Sequence, residues 1–196
     1  HADPKVGHFS NDRRLSDAQK TTLLAWIDQG CNKGDPKDEP APKSYVTGWA
    51  IGQPDVVLKM TKTIKIPASA GPLGMPYQYA NVGEVFKEDT WVQAAEARPS
   101  NRAVVHHIIA FMREKGVRDT HNLPLLGGFA PGEEPMILPQ GVGFKVPAGA
   151  EIVWQIHYTP TGKEEKDRSE LGLILCKEPP ERALKGSGAF NTKFSI

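Results

Sequence analysis

The chain has 196 residues, 39% hydrophobic and 24% charged, which is ordinary for a globular protein with a sizeable core. Its formal net charge is +1, so no charge excess points to nucleic acid or an acidic membrane surface as a partner. No apolar run in the sequence reaches the roughly 18 residues that a membrane-spanning helix needs.

One helix is predicted near the start of the chain. Ser16 and Gln19 have the spacing of a capping box, and apolar residues recur through the following turns until Gly30. The pattern therefore predicts a short helix over about Asp17–Gln29. Its apolar side chains require something to pack against.

Short apolar runs separated by turn residues dominate the rest of the chain, which contains most of its 19 glycines and 17 prolines. This pattern predicts an all-β fold, an antiparallel β-sandwich from about Gly48 to Cys176. The predicted strands are Asp55–Lys59, Thr63–Ile66, Pro76–Val82, Thr90–Arg98, Val104–Met112, Val142–Val146, Glu151–Thr159 and Glu170–Cys176. We interpret Arg113–Gln140 as a long loop and the charged run Lys163–Glu170 as an exposed hairpin loop.

These patterns divide the chain into three parts. Residues 1–43 comprise the helix and a charged, Pro-rich linker, and are interpreted as the tail of a preceding domain. Residues 44–180 form the sandwich. Residues 181–196 are predicted to begin a following domain.

Histidines on two predicted strands are the main candidates for a functional site. His106 and His107 are adjacent within an apolar, β-branched run. The strand Glu151–Thr159 alternates, so His157 points away from its apolar face, with Gln155 beside it on the same side. Three imidazoles from two strands suit copper or zinc. Gln155 is a candidate to orient a ligand through a hydrogen bond or a water molecule.

The adjacent pair sets a geometric condition on this site. Successive side chains of a regular strand point to opposite faces, so His106 and His107 can share an ion only where the strand bulges or ends. The alternative interpretation is that one histidine is a hydrogen-bonded core residue and the other faces solvent. Both interpretations are open at this point.

The other histidines carry less weight. His121 is interpreted as a solvated loop residue and His8 as a surface residue. His1 could chelate copper through its α-amine and imidazole, but we do not assign it. The sequence contains no HExxH, Gly-x-Ser-x-Gly, Walker or GxGxxG motif, which argues against the hydrolases and nucleotide-binding proteins that carry them.

The two cysteines, Cys31 and Cys176, form neither a CxxC nor a CxxCH motif, so a redox dithiol of that spacing and covalent c-type haem are excluded for this chain. A disulfide between them is a possible pairing. It would require an oxidising compartment.

Four segments together resemble the first copper domain of the copper type II, ascorbate-dependent monooxygenases, the family of peptidylglycine α-hydroxylating monooxygenase and dopamine β-monooxygenase. The resemblance covers roughly residues 48–178. Its motifs are Val104–Ile108, Gly128–Gly132, Leu138–Phe144 and Gln155–Tyr158, the last followed by Thr161–Lys163.

This resemblance implies a jelly-roll β-sandwich that binds one electron-transferring copper. Its ligands would be His106, His107 and His157, and the family's glutamine two residues before the third ligand falls on Gln155. In the family, a second domain supplies a His-x-His pair and a methionine for the copper at which oxygen reacts. This sequence has no His-x-His pair.

Residues 1–43 are similar to the closing segment of a haem c-like domain that precedes such copper domains in bacterial multidomain proteins. The similarity lies in His1–Pro4, Asn11–Asp17 and Trp26–Asp28. It implies an upstream haem c-like domain, a downstream copper domain, and a periplasmic or extracellular location.

Two functions of different classes follow. The first is a redox copper module that takes an electron from ascorbate or a haem domain and passes it to a second copper domain for substrate hydroxylation. The alternative is a metal-free structural or interaction module of jelly-roll form. A zinc hydrolase is a third reading, but no general base lies at a recognisable spacing.

Overall fold

The computed structural model describes residues 5, 7, 12–72, 74–117 and 123–186. The chain separates into two compact units, His1–Tyr45 and Val46–Ile196. The expectations for His1, His8 and His121 lie outside the described residues. No helix in the described ranges is long and apolar enough to cross a membrane.

The first unit contains the predicted helix, α1 (Asp17–Asp28). The Ser16 hydroxyl accepts a hydrogen bond from the Gln19 amide, and the Gln19 side chain accepts one from the Ser16 amide. The predicted capping box is therefore confirmed. No residue of α1 is buried. A single turn of 3-10 helix, Pro36–Asp38, interrupts the linker.

The second unit is a β-sandwich, so the all-β prediction is confirmed, and each of the eight predicted strands is present. Its strands are β1 (Val56–Lys59), β2 (Ile64–Ile66), β3 (Gln78–Glu84), β4 (Thr90–Arg98), β5 (Val105–Arg113), β6 (Leu125–Phe129), β7 (Met136–Ile137), β8 (Val142–Val146), β9 (Glu151–Tyr158), β10 (Glu165–Asp167), β11 (Glu170–Leu175) and β12 (Arg182–Ala183). The jelly-roll connectivity implied by the resemblance stays a prediction.

Two larger sheets enclose the core. The first has the order β1-β11-β4-β8-β12, with β7 also paired to β4, and the second has the order β3-β9-β5-β6. A small third sheet pairs β10 with β2. The pairs are antiparallel except β12, which runs parallel to β8 and thereby places Arg182–Ala183 on the first sheet.

Alternation along the strands explains the core. In β9, Ile152, Trp154, Ile156 and Tyr158 are buried, as the period-two pattern predicts. Ile108 and Ala110 of β5 join them, and the opposite sheet contributes small residues from β4 and leucines from β11. The other face of β5 and β9 is therefore turned away from the core.

Two loop predictions were wrong. The segment Arg113–Gln140 contains β6, which pairs with β5, and β7, which pairs with β4. The run Lys163–Glu170 is not simply an exposed hairpin, because Asp167 and Ser169 are buried. Asp167 is therefore a buried carboxylate within a segment whose composition suggested full exposure.

Candidate metal centre

An irregularity in β5 brings the adjacent histidines to one place. Val105 pairs with Tyr158 and His107 pairs with His157, so β5 advances two residues where β9 advances one. His106 is the extra residue of this bulge. A bulge bends its strand and redirects a side chain, which removes the objection that His106 and His107 must face opposite ways.

The three imidazoles converge on the outer face of the second sheet. Their nearest ring nitrogens lie within 4.8 Å of one another, and His106 Nδ1 is 3.0 Å from His107 Nδ1. The ring centroids are 5.1 to 5.3 Å apart. We call His106, His107 and His157 the histidine triad. The interpretation in which one of them is a core residue is not the arrangement found.

The donor chemistry of the triad fits a borderline transition metal. Neutral imidazole binds copper and zinc, with metal–nitrogen distances of about 2.0–2.1 Å for zinc. Two ligands of one ion can therefore be about 4 Å apart at most, so small ring rotations would complete the set. His106 is exposed and His107 and His157 are half-buried, so solvent reaches the triad.

The electrostatics of the triad favour a neutral ring at His107. Partial burial lowers the pKa of His107, and the neighbouring His157 and His106 lower it further because a second or third positive charge would be repelled. A metal ion competes with protons for the same nitrogens. A lowered pKa therefore keeps His107 available to metal at more acidic pH.

Gln155 lies on the same outer face as His157, as predicted from the two-residue spacing. Its side-chain amide donates a hydrogen bond to the Tyr79 hydroxyl at 2.9 Å. No hydrogen bond joins it to the triad among the described residues. Gln155 therefore connects β9 to β3 beside the site, and a role in orienting a ligand stays a prediction.

Tyr77 is a member of the site that the sequence did not reveal. Its ring lies 4.9 Å from that of His157 at an interplanar angle of 30°, and 5.6 Å from that of His107. The ring covers two of the three imidazoles from the side of β3. The available signal was the Tyr77-x-Tyr79 alternation, which leaves two aromatic rings exposed on one face.

A buried carboxylate anchors the end of β9 behind the site. Asp167 Oδ2 accepts hydrogen bonds from the Tyr158 hydroxyl and the Ser169 hydroxyl, both at 2.8 Å. Its Oδ1 accepts from the Ser100 amide and hydroxyl and from the Asn101 amide. Because Tyr158 follows His157, this network fixes the strand that carries the third ligand.

The two cysteines are free thiols in the structure, Cys31 exposed and Cys176 half-buried. Cys31 belongs to the first unit and Cys176 to the second. Their pairing stays a prediction.

Comparison with known protein families and with curated proteins found no relative. No model of a known protein family matches the sequence, and no curated protein gives a significant match.

Proposed function

We propose that the second unit is a copper-binding redox module, the electron-transferring half of a monooxygenase-like protein. The observation that carries this proposal is the convergence of three imidazoles, from two neighbouring strands, within 4.8 Å of one another. The resemblance in the order and spacing of four motifs favours copper over zinc. The proposal includes a periplasmic or extracellular location.

The residues of the site have separate tasks in this proposal. The triad would hold the ion, and a bound copper would supply one-electron chemistry between its Cu(II) and Cu(I) states. Two ligands on paired strands hold their spacing more rigidly than loop ligands would. The Tyr77 ring and the Asp167 network limit the movement of His157, and the exposed edge of His106 leaves a path for a reductant such as ascorbate.

The proposal assigns oxygen activation to another domain. In the family that the motifs resemble, that chemistry needs a His-x-His pair and a methionine, and the sequence has no such pair. The upstream haem c-like domain and the downstream copper domain would be partners within a longer polypeptide. The 196 residues alone should accept an electron without hydroxylating a substrate.

Copper binding by the purified chain tests the proposal. We expect one Cu(II) per chain, with an electron paramagnetic resonance signal that ascorbate abolishes. His107→Ala and His157→Ala should each weaken binding by more than about a hundredfold, since even residues that only support metal ligands are often worth 10- to 100-fold. Tyr45→Ala, at an 83% exposed residue, is the control and should bind like the parent chain.

Three different results would contradict the proposed copper-binding redox module. A chain that binds no copper at equimolar concentration, while its far-ultraviolet circular dichroism remains that of a folded β protein, would favour the metal-free structural or interaction module. Tight zinc binding with no competition by copper would reject the redox assignment. Hydroxylated product formed by the bare chain, and lost in His157→Ala, would reject the division of labour between domains.

A further inference from the structure

An apolar cavity of about 970 Å³ opens beside the histidine triad. It runs along β6, and His106 and His107 line it, whereas His157 does not. Most of the lining is apolar and includes Ile109, Leu125, Phe129, Met136, Phe144 and Leu184.

The groove lies along β6, which is an edge strand of the second sheet and has two glycines at its centre. Gly127 and Gly128 are both in its lining, and Gly128 pairs with Ile109 of β5. Paired residues share a sheet face, so the outer-face Ile109 has no side chain beside it on β6. The glycines permit close packing of β6, because a Cβ at Gly127 would lie 3.1 Å from the Ala95 Cβ and a Cβ at Gly128 would lie 2.8 Å from the Ile108 carbonyl oxygen. The groove beside them ends at His106 and His107.

The charged side chains in the lining of the groove are acidic, and Arg102 lies outside the lining with its guanidinium 5.2 Å from the Phe129 ring. Glu133 and Glu134 line the cavity and are exposed, and neither lysine nor arginine lines it within the described ranges. Leu125 is 55% exposed and Leu184 39% exposed, so apolar surface is presented to solvent there. The volume lies within the range of about 300–1,000 Å³ that is usual for small-molecule pockets.

We propose that this groove binds a small neutral apolar molecule with a nitrogen or oxygen donor atom that reaches the metal held by the triad. The inference rests on the proposed copper site and extends it, because it assigns a ligand class to a position that electron transfer alone does not need. The apolar body of the ligand would lie along β6, and its donor would approach from the side of His106 and His107, opposite the ring of Tyr77.

The test compares two ligands that differ only in apolar length. Pyridine and 4-phenylpyridine have similar basicity, so the copper–nitrogen bond is matched, and the phenyl group extends straight away from the ion. Titrations of the copper-loaded full chain, followed by electron paramagnetic resonance, should show 4-phenylpyridine binding at least about tenfold more tightly, as expected for burying an aromatic ring. Equal affinities would overturn the proposal.

Neighbouring residues of β7 provide a matched pair of variants. Met136 lines the groove, whereas Ile137 is 61% exposed and does not. Met136→Gln should weaken the binding of 4-phenylpyridine several-fold and leave the affinity for pyridine unchanged. Ile137→Gln should leave both affinities unchanged. Leu184→Gln repeats the test at a partly exposed position. A preference that survives in both groove variants contradicts the assignment.

Two further measurements separate this inference from the copper assignment. The metal-free chain should still bind 4-phenylpyridine, more weakly, with nuclear magnetic resonance shifts at Ile109 and Leu125. Should copper fail to bind, the proposed function falls and this metal-free arm decides the groove, since no shifts there would overturn it. The groove would instead be assigned to a second copy of the chain by two results together. Pyridine and 4-phenylpyridine would bind with equal affinity, and sedimentation would show a dimer that Leu125→Glu dissociates.

Discussion

His107 and His157 face each other directly across the antiparallel pair of β5 and β9, with ring centroids 5.3 Å apart. Cross-strand partners at this spacing interact strongly, and two positive charges in such a pair are unfavourable. The arrangement that suits a metal ion is therefore one that resists protonation. This relationship makes the fold itself sensitive to pH.

Acidification should destabilise the metal-free second unit. The pKa of His107 is lowered by burial and by its histidine neighbours, so the unfolded chain, with a pKa near the ordinary value of about 6.5, binds the proton first as pH falls. Stability should decline as pH falls through that value toward the lowered pKa, and level off below it. Urea midpoints measured from pH 8 to pH 5 in the presence of a chelator report this decline.

Substitution of His107 tests whether this residue causes the decline in stability at acidic pH. His107→Gln should flatten the decline, because the titrating group is removed. A decline of the same size in His107→Gln would mean that another group is responsible. Copper occupancy should also fall with pH, because protons and metal compete for the triad.

Removal of the Tyr77 ring should weaken copper binding without changing its stoichiometry. The ring packs on His107 and His157 and limits their rotation before metal binds. Aromatic contacts of this kind are worth about 0.5–1.5 kcal/mol, so Tyr77→Ala should raise the copper dissociation constant about two- to tenfold. Chelator competition measures the change. Tyr77→Phe should restore it, and Tyr45→Ala, at an 83% exposed tyrosine, is the control.

Asp167→Asn should destabilise the sandwich. The carboxylate accepts from donors on both of its oxygens, and an amide nitrogen in place of one oxygen leaves buried donors unpaired. The expected loss is about 1–3 kcal/mol in the free energy of unfolding by urea. Lys166→Gln, at the exposed neighbouring position of β10, should change it little. Equal stability of the two variants would show that water replaces the lost acceptor.

A methyl group at Gly172 should also be costly. A Cβ there would lie 2.8 Å from atoms of both Trp49 and Pro54, closer than real side-chain carbons approach. Gly172→Ala should therefore lower the free energy of unfolding by about 1–3 kcal/mol. Gly83→Ala is the matched control, because a Cβ on this β3 glycine meets nothing within 4 Å. A neutral Gly172→Ala would mean that Trp49 moves aside freely.

The two thiols should react at different rates in the reduced, folded chain. Cys31 is exposed, whereas burial raises the pKa of Cys176 and lowers its thiolate fraction. Iodoacetamide should therefore label Cys31 first, as mass spectrometry of peptides would show. If the predicted disulfide forms, neither thiol reacts until reductant is added. Faster labelling of Cys176 would contradict the structure.

The sequence was a good guide wherever a local period decides the structure. Alternation in Glu151–Tyr158 placed His157 and Gln155 on the outer face, and the capping pattern at Ser16 located the helix. It could not show that β5 bulges at His106, since the extra residue exists only relative to the partner strand. The three imidazoles can converge only with the register shift at His106.

What the sequence missed depends on partners distant in the chain. The sequence does not predict β6, because the centre of this strand is Gly127-Gly128 and glycines lower strand propensity. Asp167 looked like one more surface charge, because hydropathy does not register the donors on Ser100 and Tyr158 that make its burial possible. The position of Tyr77 over the imidazoles depends on how β3 pairs with β9.

The bulge at His106 also separates one ligand from the inside-outside frame of the strand. Val105 and His107 pair with consecutive residues of β9, Tyr158 and His157, so a chain without His106 would keep Val105 and Ile108 in the core and His107 on the outer face. Deletion of this one residue would remove a ligand without shifting the rest of β5. A single added residue is thus enough to bring a third imidazole to a pair of histidines that regular strand pairing already places together.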